Sequence, residues 1–228
     1  MKYKDFDTIL SNNRLARYHK ACACNKRKTL TLYRQNIILS ETVFGVVGMF
    51  EVALRNAIDN YYSTLYGADW LRDAIDTGGL LDNSKCWKTR DIVRNAYNDI
   101  VGLGYCKEAL LAKCEFGVWR YMFASHPYAA MGNVLLNIFP SIPPIEGVRV
   151  CDNQFIFEEL TKINKLRNRI AHQEPLCFHM GTNNIESRQV RYVYRRICKL
   201  LQWMNIDDYG YLYGINHVIK ECDKLDKI

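Results

Sequence analysis

The sequence predicts an all-α chain, a helical bundle with extra helices. Three observations carry this: the apolar period is helical throughout, no segment alternates like a strand, and the prolines fall between periodic stretches. A first short helix is expected over about residues 5–19, then a basic loop over 21–28. A long helix should fill about 29–66 and stop at Gly67, with Gly45 or Gly48 as a candidate break. On it Phe44, Val47, Glu51, Leu54, Ile58, Tyr61 and Leu65 recur at spacings of three and four. Val43, Val46, Phe50, Ala53 and Ala57 cover a neighbouring stripe, so the middle of this helix should be buried on most sides.

A polar, Gly-rich connection over 76–83 leads to Ser84, a candidate N-cap. The helix beyond carries Ile92, Val93, Ala96, Tyr97 and Ile100 and stops near Gly102 or Gly104. Another is expected over about 107–124, ended by Pro127. A further one over 128–138 is closed by Pro140, and Pro143-Pro144 makes a stiff link. Asp152 caps the helix whose Phe155, Ile156, Leu160, Ile163, Leu166 and Ile170 face the core. The last long helix, about 185–204, buries Val190, Val193, Ile197, Leu201 and Met204, and a Tyr-rich segment follows.

At 228 residues, nearly half of them apolar, the chain can bury a proper core and is not a disordered tail. It reads as one domain over 1–228, with a basic N-terminal extension (1–28) and a C-terminal helical tail (205–228). The longest apolar run, 43–50, is too short to cross a bilayer, and the N-terminus lacks the apolar core of a signal peptide. Nine scattered Cys without a C-x-x-C pair indicate neither zinc nor a disulfide framework; free thiols imply the cytoplasm. The net charge of +7 is concentrated: segments 1–40 and 160–200 each hold nine Lys/Arg against two acids, leaving the rest at −7. Two basic segments suit a polyanion, although an ordinary solvated face is the plainer reading.

Arg167-Asn168-Arg169-Ile170-Ala171-His172 closes the helix that Asp152 opens. An Arg and a His five apart, with a polar residue between, can hold and cut an RNA phosphodiester without a metal. Spacing alone is weak, because Arg14–His19 repeats it and Arg120–His126 approaches it. Asn168 and His172 share a face, and Pro175 puts His172 near the helix C-terminus, where the macrodipole favours a protonated imidazole. The alternative is that His172 only caps the helix. Glu51 and Arg55, four apart, with Asn56 beside them, form a structural ion pair or else support a site made with another helix. Arg188, Arg191, Arg195 and Lys199 form one basic stripe that can track phosphates, and no acid follows Glu186 on that helix. There is no Gly-rich phosphate loop, nucleophile elbow or set of paired metal carboxylates, and no cofactor is implied. His19, His126, His179 and His217 read as structural or surface residues; Trp70, Trp87, Trp119 and Trp203 read as core.

Leu-Arg-Asn-Arg-Ile-Ala-His-Gln-Glu-Pro (166–175) resembles the signature of Abi-like (abortive infection, AbiD/AbiF-type) HEPN proteins. Three upstream blocks agree in order: 32–41 (Leu-Tyr-Arg-Gln-Asn-Ile-Ile-Leu-Ser-Glu), 50–59 (Phe-Glu-Val-Ala-Leu-Arg-Asn-Ala-Ile-Asp), and 116–123 (Phe-Gly-Val-Trp-Arg-Tyr-Met-Phe) followed by Phe139-Pro140. The resemblance covers roughly 5–215, with Gln35 where the family often has Trp and Cys114-Glu115 in place of Leu-Ser. It implies a dimeric, up-down HEPN bundle with flanking helices and metal-independent endoribonuclease activity, in the setting of a toxin or phage-defence effector. The family motif falls on Arg167, Asn168 and His172. Arg169 and the basic stripe would hold RNA, and an antitoxin, protein or RNA, is a further expected partner. Two other readings compete: a non-catalytic RNA-binding module, and an adaptor for an antitoxin or nucleotidyltransferase.

Overall fold

The computed structural model describes residues 3–228. Helix accounts for 68% of the chain and strand for 3%, so the protein is all-α. Its contacts group into two compact units. Three helices, α3 (Lys26–Tyr66), α9 (Asn153–Ala171) and α10 (Arg188–Trp203), run through both.

The first unit comprises residues up to Gly48, Lys165–Cys198, and Asp208–Ile228. The expected first helix is two, α1 (Tyr3–Leu10) and α2 (Asn12–Ala21), because Ser11 between them takes a left-handed φ of 70°. Leu15 and Tyr18 of α2 are buried. Beyond Asp208 the chain forms α11 (Asp208–Tyr211) and α12 (Val218–Leu225). The N-terminal segment and the C-terminal tail are both built into this unit. Lys28 Nζ donates to the carbonyl of Ile228 at 3.2 Å, and Gln35 Nε2 donates to the Glu221 carboxylate at 2.8 Å.

The second unit comprises Met49–Asn164 and Lys199–Asp207. Its first helix beyond α3 is α4 (Trp70–Ile75). Gly67 stops α3 as expected, with a φ of 93° that a side chain would resist. Asn83, not Ser84, caps the next turn: its Oδ1 accepts from Lys85 N and Cys86 N at 3.1 and 3.0 Å. That 3₁₀ turn runs into α5 (Trp87–Val101). The helix expected over 107–124 is two, α6 (Lys107–Lys113) and α7 (Phe116–Tyr121), parted by extended backbone at Cys114 and Glu115. Pro127 lies inside the first turn of α8 (Ser125–Ala130), where its missing N–H costs nothing, so it does not end a helix. Gly132 and Asn133, both left-handed, stop α8 before the expected 138, and only a 3₁₀ turn follows. A two-strand hairpin, β1 (Ile145–Glu146) with β2 (Arg149–Val150), turns at Gly147; strands of two residues are too short to show alternation. Asp152 caps α9 as expected, its Oδ1 accepting from Phe155 N at 2.8 Å.

α3 is continuous through Gly45 and Gly48. Leu39, Val43, Val46, Phe50, Leu54 and Ile58 form its buried side. Phe44 and Leu65 are about half exposed, and Ile37, Ile38 and Val52 also face outward, so this helix is not buried on most sides. At about 100° per residue, positions 37, 41, 44, 48 and 52 align on the side away from the core. α3 is also long and apolar enough to cross a bilayer, with 33% of its most apolar window buried; the run 43–50 understates this because Ser40, Glu41 and Thr42 on one side and Glu51 on the other interrupt a longer apolar stretch. A core helix passes the same test. Trp70, Trp119 and Trp203 are buried as expected, but Trp87 is 51% exposed at the first turn of α5.

Candidate functional site

α9 ends in a Schellman turn. Gln173 takes a φ of 54°, its N–H donates to Ile170 O, and the Glu174 N–H reaches back to Arg169 O, both at 2.8 Å. His172 is therefore the last helix-like residue, its own N–H bonded to Asn168 O at 2.9 Å and its side chain exposed. Gln occupies a position that glycine usually takes, so the turn relies on outside support. Arg14 supplies part of it, Nη2 donating to Gln173 O at 2.9 Å and Nε to the Tyr33 hydroxyl at 3.2 Å.

Arg169 and Asn36 supply the rest. The Arg169 guanidinium donates to Pro175 O and to Gln189 Oε1 (2.7 Å) and lies 3.5 Å from Glu174. Burial lowers its pKa from the ordinary value, with the Glu174 carboxylate opposing the shift. Asn36 of α3 is buried, and its Oδ1 accepts from Leu176 N and Cys177 N at 2.7 and 3.1 Å. Beyond, Phe178 bridges Ile185, and Arg17 stacks on the Phe178 ring at 4.4 Å while donating to the carbonyls of His179 and Thr182. Burial pushes the Cys177 thiol up to about 12, which favours the protonated form.

His172 opens on a groove of about 440 Å³ that Asn13, Arg14 and Arg17 of α2 line together with Gln173 and Glu174. Arg167 is half-buried and does not line it; its Nη1 lies 3.5 Å from the Oδ1 of exposed Asn168. The other two Arg/His matches divide differently. His19 is engaged with Thr29 Oγ1 at 3.1 Å, but its Arg14 stands in the groove of His172. Arg120, in the second unit, donates to Thr161 and stacks on Tyr121 at 4.2 Å.

The basic stripe is less bare than its own helix suggests. Arg191 pairs with Asp223 of α12 at 2.7 Å and with Asp226, just past its end, at 2.8 Å, and Arg188 lies 3.7 Å from Glu186. Arg188 and Arg195 are exposed. In the second unit Lys199 pairs with Glu146 of the hairpin. The acids that pair Arg191 and Lys199 come from segments distant in the chain. Glu51, Arg55 and Asn56 also belong to the second unit, where Arg55 Nε donates to Asn56 Oδ1 at 3.4 Å. Arg55 also lies near Cys114, whose thiol burial pushes up to about 12. Among the described residues no group of three or more His, Cys, Asp or Glu side chains is arranged to hold a metal. Asn13, Arg14, Arg17 and Asn36 have no part in the site as read from sequence. The one signal for Arg14 was the decoy motif that it heads. No known protein family, curated protein or solved structure matches the chain.

Proposed function

We propose that the chain is an Abi-like HEPN endoribonuclease, a cytoplasmic homodimer that cuts RNA without a metal as a toxin or phage-defence effector. The observation that carries this reading is an exposed imidazole, His172, at a helix C-terminus on a groove that Arg14 and Arg17 also line. In the reaction a base takes the 2′-OH proton and the 2′-oxygen attacks phosphorus. The P–O5′ bond breaks and an acid protonates the departing 5′-oxygen. The products are a 2′,3′-cyclic phosphate and a 5′-OH end. Arg167 neutralises charge on the transition state. The 2′-oxygen enters and the 5′-oxygen leaves on opposite sides of phosphorus, so one imidazole does not reach both, and among the described residues no second His lines this groove. A second copy supplies it across a two-fold axis. The outward stripe of Ile37, Ile38 and Phe44 on α3 is suited to that contact.

The test expresses wild type, His172→Ala and Arg167→Ala and follows growth and total RNA. Wild type should arrest growth and fragment RNA in EDTA, and each variant should lose about 10²–10⁴-fold in cleavage rate. Intact RNA with wild type, or equal cutting by His172→Ala, removes the catalytic assignment. A second reading, RNA binding without cleavage, is favoured by the position of Arg167, which lies against Asn168 and off the groove lining. It requires RNA to be bound and left whole.

A further inference from the structure

We infer that Arg14, with Asn13 beside it, is a phosphate-binding wall for the backbone of single-stranded RNA entering the groove of His172. This rests on the reading of that groove as an RNA site. Arg14 and Arg17 donate only to neutral acceptors, namely carbonyls of 173, 179 and 182, the Gln173 amide oxygen and the Tyr33 hydroxyl. Among the described residues neither has a carboxylate within ion-pair distance, in contrast to Arg191, which has two. Their charge is therefore uncompensated, and a polyanion gains most where no protein carboxylate must first be displaced.

Among the described residues Glu174 is the one acid that lines the groove, and Arg169 at 3.5 Å offsets it. Two guanidinium groups and an imidazole thus face one partly neutralised carboxylate. At about 440 Å³ the groove falls within the size range of small-ligand sites, enough for a short stretch of strand rather than a duplex. Asn13 is exposed, and the ring of Tyr18 is buried, so among the described residues that line the groove none offers an aromatic platform to stack a base. Contact there is with phosphate and independent of sequence.

The test uses full-length His172→Ala, so that the probe survives, and a labelled 12-nucleotide single-stranded RNA titrated from low to moderate salt. A single phosphate contact contributes about 0.7 to the slope of log affinity against log salt on single strands. Adding Arg14→Gln should reduce the slope by about that amount, whereas Arg14→Lys should keep it. Because Arg14 also braces Gln173, Asn13→Asp serves as the second variant: it adds a carboxylate to the groove and leaves every Arg14 hydrogen bond in place. It should weaken binding by about tenfold at low salt with an unchanged melting temperature. An unchanged slope in Arg14→Gln, an unaffected Asn13→Asp, or no RNA binding by the His172→Ala protein overturns the inference. Cleavage by wild type with an unchanged slope removes this inference alone. A slope change without any cleavage removes the nuclease reading and leaves the phosphate wall standing.

Discussion

Asn36 shows how one polar side chain fixes the position of a site. Its Oδ1 is the acceptor for two consecutive buried N–H groups, those of Leu176 and Cys177, just past the His172 turn. Asn36→Leu is nearly isosteric but strands both donors, at about 1–3 kcal/mol each. The expected loss is about 2–5 kcal/mol in chemical denaturation, while Asn36→Asp, which keeps the acceptor, should lose less. If Asn36→Leu costs no more than an average surface change, these bonds do not anchor the turn. One helical position earlier, Gln35 Nε2 donates to Glu221, which Lys224 also pairs at 2.8 Å. The Lys224 ammonium first, then Gln35, lowers the Glu221 pKa below the ordinary carboxylate value. A carboxyl depressed on folding stabilises the fold at pH above its unfolded pKa, about 4.3. That contribution disappears as pH falls through the lower folded value. Glu221→Gln should therefore be less stable than wild type near pH 7, with the difference shrinking as pH falls below about 4.3 and vanishing once the folded carboxylate is protonated. A pH-independent difference in urea midpoints would show that the carboxylate charge is not what matters. Asp152 was legible in sequence because a cap acts over three residues. Asn36, Gln35 and Arg14 were not, because their partners lie 140, 186 and 159 positions away.

At the level of elements, local chemistry foretold the ends that local chemistry makes. Gly67 stops α3 and Asp152 starts α9. The break between α6 and α7 has no Gly or Pro; it follows from burying Cys114, Phe116 and Trp119 together, a tertiary demand that no propensity records. The 76–83 connection, a polar loop by composition, hides a close approach. Leu81 N donates to Ala74 O at 2.8 Å, which draws Gly79 over the end of α4. A Cβ on Gly79 would stand 2.2 Å from Asp73 O and 2.6 Å from Ala74 O, both backbone atoms that cannot rotate away. Gly79→Ala should therefore destabilise by at least about 2 kcal/mol, the range of core overpacking. Gly78→Ala meets open space but must hold a φ of 81°, and should cost about 1 kcal/mol. The ordering of the two melting temperatures is the measurement. Gly78→Ala as the more damaging of the pair would mean that the loop is not drawn onto α4.

For the whole molecule, the unresolved question in the sequence was what the exposed apolar side of α3 meets. The periodicity showed that the helix exists but not which arc of it the core covers, since two apolar stripes qualified and the core takes residues from each, Leu54 and Ile58 from one and Val43, Val46 and Phe50 from the other. What remains outside includes Ile37, Ile38 and Phe44, at 42%, 44% and 49% exposure. In the proposed reaction a second copy of the chain is the occupant, because it would bring the second His172 as acid or base. A bilayer is the competing occupant, since α3 meets the length and composition needed to span one. Ile38→Glu with Phe44→Glu separates these possibilities. Both side chains already face outward, so the melting temperature should change little, as for ordinary surface substitutions of about ±0.5 kcal/mol. Light scattering should show wild type at twice the chain mass and the variant at one chain mass. RNA cleavage should fall with dimerisation, by about 10²-fold or more, while RNA binding survives because Arg14, Asn13 and His172 belong to one chain. Wild type that floats with liposomes, and a variant that does not, would assign the stripe to a membrane. A variant that keeps both its mass and its cleavage would leave the stripe without a role in catalysis and move the second imidazole elsewhere.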